Sequence, residues 1–422
     1  MKQIKCIFII LATLLLFANC QKHGLRSAVE DEINPYSTVR SYKEAKEIAE
    51  FSLSLIENVA TKSGDTRRLE PAQCFVKRSA KTKTGGGKDT LLYVFNFAND
   101  EGFSIIAANK NTSPLIAVVE SGHYEPGKDT GVEPFDLMMR GFLDSLDETL
   151  PDQEMPHHYY EYYSFIDSCD VQLQTKWGQR GVYGQYCPNG ISGCVATAIG
   201  QIMAYKAHPA NFVTTVSMGN DYAVGDTVQM NWTLVNQHVV NHSGIVQQCD
   251  SVHNQIGALL REIGDNVDMT YGPNSSSAYM TNVPDALDYF GYGYLPYTTV
   301  NISNMELSIK INCPVLVAGV TNNYEGHAWV ADGFKDFEYW RQEYYASPLV
   351  PGVYVPRDPV LYAYTKLIHF NWGWNGVCNG YFAFNCYDTS QGTIYDDNLN
   401  YATYDFGNNV HMYANIDDLL PE

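Results

Sequence analysis

The run VATAIGQIMAYKA, residues 195–207, constrains this chain more than any other stretch. Val195, Ile199, Ile202 and Met203 recur at helical spacing. Ala196, Ala198 and Gly200 keep the remaining faces small, so another backbone or a ligand can approach closely. A helix this apolar needs cover, which a domain with a second layer of structure provides. It stops before His208-Pro209, because the residue preceding a proline disfavours the α region. Cys194 stands at its head, in ISGCVATAIGQIM (191–203). Free backbone N–H groups in a first helical turn favour an anion, so a thiolate is expected there. On this stretch alone, an inert core cysteine accounts for the residue at least as well.

A catalytic thiolate needs a base. His327 follows Gly326 and opens a strand-like run, HAWVADGF. Further on, HFNWGWNG offers Asn371, flanked by Trp372 and Trp374. An asparagine oxygen can accept from an imidazole N–H and fix the ring, and neighbouring indoles can keep water off that bond. Each residue alone is unremarkable. Cysteine, histidine and asparagine in that order form the thiol-hydrolase arrangement.

With 422 residues, 45% of them hydrophobic, the chain can build one large domain or two ordinary ones. A net charge of −20 makes nucleic acid and anionic membrane surfaces poor partners. The ten cysteines contain no C-x-x-C pair, which argues against a zinc ribbon or a thioredoxin-like motif. Gly85-Gly86-Gly87 has no Lys-Ser/Thr behind it, so it is not a phosphate loop. His157-His158 reads as part of a solvated linker rather than a metal site. No metal and no organic cofactor is expected.

The N-terminus, MKQIKCIFIILATLLLFANCQK, has a basic start and an apolar run too short to span a membrane comfortably, as in a signal peptide. Residues 21–40 are polar and read as a tether. SYKEAKEIAEFSLSLIENVA (41–60) reads as a helix with a Ser41–Glu44 capping box. Strands are expected at 91–98, 102–109 and 114–122, and a further helix at 134–150. Together they make a helix-plus-antiparallel-sheet unit. PDQEMPHHYYEYYSF (151–165) is an expected boundary, polar, exposed and cleavable. Residues 166–207 are expected to be helical around Cys194, and 251–264 form another helix. From 311 onward the pattern is β, which gives α+β order.

Four motifs carry a resemblance: GCVATAIGQIMAY (193–205), VDMTYGPNSSSAY (267–279), GHAWVADGF (326–334) and HFNWGWNGVCNGYF (369–382). They resemble the streptopain-like branch of the papain-fold cysteine peptidases found in Bacteroides-group bacteria. YVFNFANDEGFSIIAANKNTSPLIAVVESG (93–122) is similar to that family's prodomain. The resemblance implies an α+β fold: a papain-like catalytic domain over 166–422, with a helical half and an antiparallel β half. An inhibitory α+β prodomain and connector over 41–165 would precede it. It implies a cysteine endopeptidase made as a zymogen, with protein or peptide substrates, its own prodomain as inhibitor, and a monomeric state. Cys194 takes the nucleophile's position, His327 the base's and Asn371 the orienting position, with Trp372 and Trp374 beside them. Ser277 and Gly326 match substrate contacts, and the Cys194 N–H is the first oxyanion donor.

FANC at 17–20 resembles a lipoprotein signal in which Cys20 is lipidated. The expected location is therefore an exported bacterial outer-membrane lipoprotein, or a protein secreted after processing, touching membrane only through that lipid. The chain departs from the family at Ala318-Gly319, where the family often has Gln-Gly. It also carries an aromatic, proline-rich insertion at 335–366, which is either a wall on the primed side of the cleft or a surface hairpin. Two other classes are a thiol amidase or acyltransferase, and a non-catalytic surface-binding protein of this fold. The latter would be marked by loss of Cys194, His327 or Asn371, and none is lost.

Overall fold

The computed structural model describes residues 24–27, 39–59, 61, 64, 66–76, 90–110, 113–145, 158–237, 250–320, 326–383 and 410–418. Cys20, the signal-like segment and the glycine run lie outside the described residues. Strand β1 (Gly24–Ser27) pairs antiparallel with β2 (Gln73–Val76), and Arg40 is buried. The stretch 21–40 is therefore not all tether. The open edge of β2 offers backbone donors and acceptors that a neighbouring polar segment can satisfy.

Helix α1 (Tyr42–Ser54) starts with the expected capping box. The Glu44 N–H donates to Ser41 Oγ at 3.3 Å, and the Ser41 N–H donates to Glu44 Oε2 at 2.6 Å. Strands β3 (Thr90–Asn96), β4 (Phe103–Ala107) and β5 (Leu115–Val119) follow in antiparallel order. Gly102 is needed at the turn, since a Cβ there would lie 2.0 Å from the Val119 carbonyl oxygen. Helix α2 (Glu133–Ser145) closes this unit, its Phe135 packed edge to face on Phe103 and Tyr124.

The connector departs from expectation. His158–Cys169 forms strand β6, so a boundary at 165/166 falls inside an element. Its run of tyrosines suits a half-buried pleated surface, a preference that its polarity and nearby prolines masked. Residues 166–193 are not helical either. After β6 they run extended and through two short 3₁₀ turns, interrupted by Gly178, Gly181, Gly184, Pro188 and Gly190. The helix is α3 (Cys194–Lys206) alone, buried from Val195 to Ala204.

Helices α4 (Asp250–Asn266), α5 (Val283–Tyr289) and α6 (Ile302–Lys310) also belong to the helical half, beside a short helix at Trp232–Gln237. The β half comprises β7 (Val315–Val320), β8 (Gly326–Ala346), β9 (Tyr354–Pro356), β10 (Val360–Asn371), β11 (Gly380–Ala383) and β12 (Val410–Tyr413). One sheet runs β1-β2-β3-β4-β5-β11-β10-β8-β7-β12 and ends on Thr298–Thr299, while β6 and β9 also pair with β8. The N-terminal unit thus joins the β half edge to edge, with Val119 opposite Gly380 and Ala117 opposite Phe382. A Cβ on Gly380 would sit 2.5 Å from the Val118 carbonyl oxygen, so this junction depends on glycine.

Alternation along the strands separates two cores. Val315, Val317, Trp329 and Ala331 face a core shared with the N-terminal unit. Leu316, Ala318, Ala328 and Val330 face α3, α4 and α5. The insertion at 335–366 lengthens β8 and β10 into a long hairpin. Its tip is exposed, as for a surface hairpin. Its stem packs on the N-terminal unit, where Phe337 meets Phe51 edge to face at 5.6 Å and Ser113 Oγ lies 2.9 Å from Thr365 Oγ1. Among the described residues, no helix is long and apolar enough to cross a membrane.

Candidate active site

Cys194 begins α3 directly after Gly193, whose φ of 88° suits glycine. A Cβ at Gly193 would lie 2.9 Å from the Met269 sulfur and 3.2 Å from the Ser276 Cβ. The 269–277 segment is therefore pressed against the entry to the helix. Ser276 is buried and donates to the Ile191 carbonyl at 2.9 Å, which leaves Ser277 exposed beside the nucleophile's loop. Gly326 is exposed at the head of β8, opposite Val320. A Cβ there would make only ordinary contacts within the chain, 3.5 Å from Val320 Cγ2. Ala318 is buried opposite Ala328.

His327 is the second residue of β8 and is buried. Its Nε2 lies 3.0 Å from the carbonyl oxygen of Trp372. A carbonyl only accepts, so the N–H sits on Nε2, and in the neutral ring Nδ1 carries a lone pair. Trp374 stands edge-on to the imidazole at 5.8 Å, and Trp329 lies nearly parallel to it at 6.4 Å. The expected contact from Asn371 is not made. The Asn371 side chain instead accepts from Gln201 Nε2 at 3.2 Å and from the Gly373 N–H at 3.2 Å, and donates to the Thr175 carbonyl at 2.8 Å. The orienting acceptor is a main-chain atom one residue on. Sequence carries no signal for a carbonyl's direction. Gln201, a polar residue inside an otherwise apolar helix, was the one visible hint, since a buried amide must find partners.

The expected lowering of the Cys194 thiol is not found either. Burial pushes the Cys194 thiol above its ordinary range, and the N–H groups of Ala328, Val195 and Cys194 itself offset this only in part. Glu133 of α2 adds a smaller push in the same direction. Burial draws His327 down to about 4, against the bond to Trp372. Both shifts favour the neutral forms, the thiol and the imidazole alike, and desolvation outweighs the helix N-terminus. Among the described residues, Cys169, Cys187, Cys194 and Cys313 are free thiols.

The N-terminal unit reaches this site from one side. The Glu120 N–H donates to the Asn379 carbonyl at 2.9 Å and the Cys378 N–H to the Ser121 carbonyl at 3.2 Å. Ser121 Oγ donates to the Gly376 carbonyl at 2.8 Å. Asn379 in turn accepts the Trp372 N–H on its side chain at 3.0 Å. The loop that presents the Trp372 carbonyl is thus clasped by the N-terminal unit. Below it, the buried His369 meets Asp332 at 2.6 Å and, in an ion-pair contact, Glu120 at 3.2 Å.

The sequence profile of the Peptidase C10 family matches residues 177–382, and that of the Spi protease inhibitor matches residues 36–140. Streptopain from Streptococcus pyogenes is 25% identical over 384 residues, covering 81% of this chain and 84% of that protein. The thiol protease/hemagglutinin PrtT from Porphyromonas gingivalis is 22% identical over 343 residues, covering 72% of this chain and 35% of its own length. A prointerpain A fragment from Prevotella intermedia aligns in structure with a TM-score of 0.48 at 21% identity, covering 84% of this chain and all of that one. Residues 177–382 form a Peptidase C10 region, and the chain is a streptopain-like cysteine peptidase made as a zymogen, with the inhibitor-type unit as its prodomain.

Proposed function

We propose that Cys194 and His327 carry the peptidase reaction and that the described conformation is the resting precursor. In the active enzyme the thiol passes its proton to Nδ1 of His327 and attacks the scissile carbonyl. The tetrahedral oxyanion is met by the Cys194 N–H. The imidazolium then protonates the leaving amine, and water attacks the thioester with His327 as base. The single observation that carries this reading is the His327–Trp372 hydrogen bond, which fixes the tautomer a general base requires. Trp374 shields the ring edge. Ser277 and Gly326 bind the substrate backbone on either side of the cysteine.

The N-terminal segment 1–20 serves as a lipoprotein-type signal, and lipidated Cys20 anchors an exported monomer at the outer membrane until processing releases it. Maturation cuts ahead of β6, because β6 is held along its length by β8 and cannot enter a protease cleft as an extended substrate. Removal of the prodomain unclasps the 373–379 loop and opens the thiol to solvent.

The test is self-processing. Purified Cys194→Ala and His327→Ala precursors should stay full length, while added wild-type enzyme trims them to a product whose N-terminus, by mass spectrometry, lies before residue 158. Maturation of Cys194→Ala at the wild-type rate, free of other proteases, would remove Cys194 from the mechanism.

A further inference from the structure

Gln201 lies about two helical turns after Cys194 on α3 and is completely buried. Its Oε1 accepts the Trp177 N–H at 3.1 Å, and its Nε2 donates to Asn371 Oδ1 at 3.2 Å. Asn371 then passes the tie in two directions, to the Gly373 N–H and to the Thr175 carbonyl. Both neighbours of Trp372 are thereby pinned. Gly373 has a φ of 68°, and a Cβ there would lie 3.1 Å from Thr197 Cγ2, so the loop rests directly on α3. The Trp372 indole donates to the Cys378 carbonyl at 2.9 Å, which holds the residue between those pins. The carbonyl of the residue so held is the one that receives His327.

We propose that Gln201 is a positioning residue for the peptidase reaction. It sets the distance between the nucleophile helix and the Trp372 carbonyl, acting through Asn371, and so sets the imidazole against the thiol. Gln201 touches neither the thiol nor the ring. One side chain on the helix that carries the cysteine therefore measures out the loop that carries the histidine's acceptor. This inference rests on the reading of Cys194 and His327 as the reacting pair.

The test uses the processed enzyme, with rates normalised to epoxide-titratable thiol so that unfolded chains do not count. Gln201→Met preserves size and loses both hydrogen bonds. Gln201→Glu keeps the acceptor for Trp177 and sets an oxygen against Asn371 Oδ1. Each should lower kcat about 10-fold with KM nearly unchanged, since a misplaced base costs turnover rather than binding. The pH–rate profile should shift on its acid limb, where the imidazole's environment is read. In an Asn371→Ala background, adding Gln201→Met should cost less than about twofold further, because the path is already cut.

A residue that merely fills the core would lower the melting temperature and leave kcat, the profile and the double mutant's additivity untouched. Variants within about twofold of wild-type kcat, or fully additive with Asn371→Ala, would overturn the proposal. Cys194→Ala and His327→Ala are measured alongside. Turnover in either of those means the site itself is misread. If both are dead and the Gln201 variants keep full kcat, only the positioning role fails.

Discussion

Nε2 of His327 is 3.0 Å from the main-chain carbonyl of Trp372, while the neighbouring Asn371 side chain turns away to Gln201, Gly373 and Thr175. The imidazole is therefore oriented by an atom that no side-chain substitution removes. Asn371→Ala should lower kcat by about 10- to 100-fold through a loosened loop. His327→Ala should cost more, roughly 10²–10⁴-fold or beyond, since the base itself is gone. Steady-state kinetics on a peptide substrate would decide it. Equal losses in the two variants would mean that Asn371 does more than hold the loop.

Burial raises the Cys194 thiol above its ordinary range in the precursor and so favours its protonated form. Iodoacetamide should label Cys194 slowly at pH 7 in the precursor and faster as pH rises, following the thiolate fraction. Once the prodomain is gone, labelling at pH 7 should speed by at least ~10-fold. Because other cysteines are free, the readout is mass spectrometry of the Cys194 peptide. Identical labelling rates before and after processing would exclude prodomain burial as the cause.

Acid should loosen the prodomain. Burial raises the carboxyl of Glu120, but His369, with Lys176 and Arg67, more than compensates, and it is held below its ordinary range. Burial disfavours charged His369, yet Asp332 and Glu120 lift it to about 10. The depressed carboxylate contributes stability above the ordinary Glu range and loses it as pH falls through its folded value. The raised imidazolium contributes below the ordinary His range and loses its share as pH climbs toward 10. Docking is thus strongest between the two ordinary ranges, in mildly acid solution, and weakens on either side. Limited proteolysis of the Cys194→Ala precursor should accelerate below about pH 4. Glu120→Gln should be cut faster at pH 6 and show a shallower acid slope. An unchanged slope would assign acid opening to other groups.

The insertion hairpin should act on the zymogen and not on the mature enzyme. Glu161 of β6 takes Arg341 of the hairpin at 3.2 Å and Arg40 of the prodomain at 3.5 Å, and Arg341 donates to the Lys110 carbonyl at 2.8 Å. Burial raises Glu161, but the two guanidinium groups, with hydrogen bonds from Tyr339 and Arg341, prevail and hold it below its usual range. Removing one partner of a buried network costs on the order of 3 kcal/mol. Arg341→Met should lower the precursor's melting temperature and speed self-processing several-fold. The kcat of the processed enzyme should stay the same. A changed cleavage profile with unchanged processing would instead place the hairpin beside the substrate cleft.

Local pattern was enough for much of this protein. The apolar period of 195–207, the proline beyond it, the Ser41–Glu44 box and the apolar strand runs within 91–122 are short-range features, and each formed where the residues required. The order of Cys194, His327 and Asn371 was legible for the same reason, because residue type and motif survive without coordinates. What only the tertiary structure decided depends on atoms from distant parts of the chain meeting under low dielectric. A helix N-terminus alone favours a thiolate, but burial in the folded chain reverses the sign at Cys194. Asn371 had the right chemistry to hold His327, yet its amide was claimed by Gln201 and a turn N–H, leaving the ring to a carbonyl. The tyrosines of 158–169 read as a linker until β8, lengthened by the insertion, supplied the partner strand without which a lone strand has no stable backbone pairing.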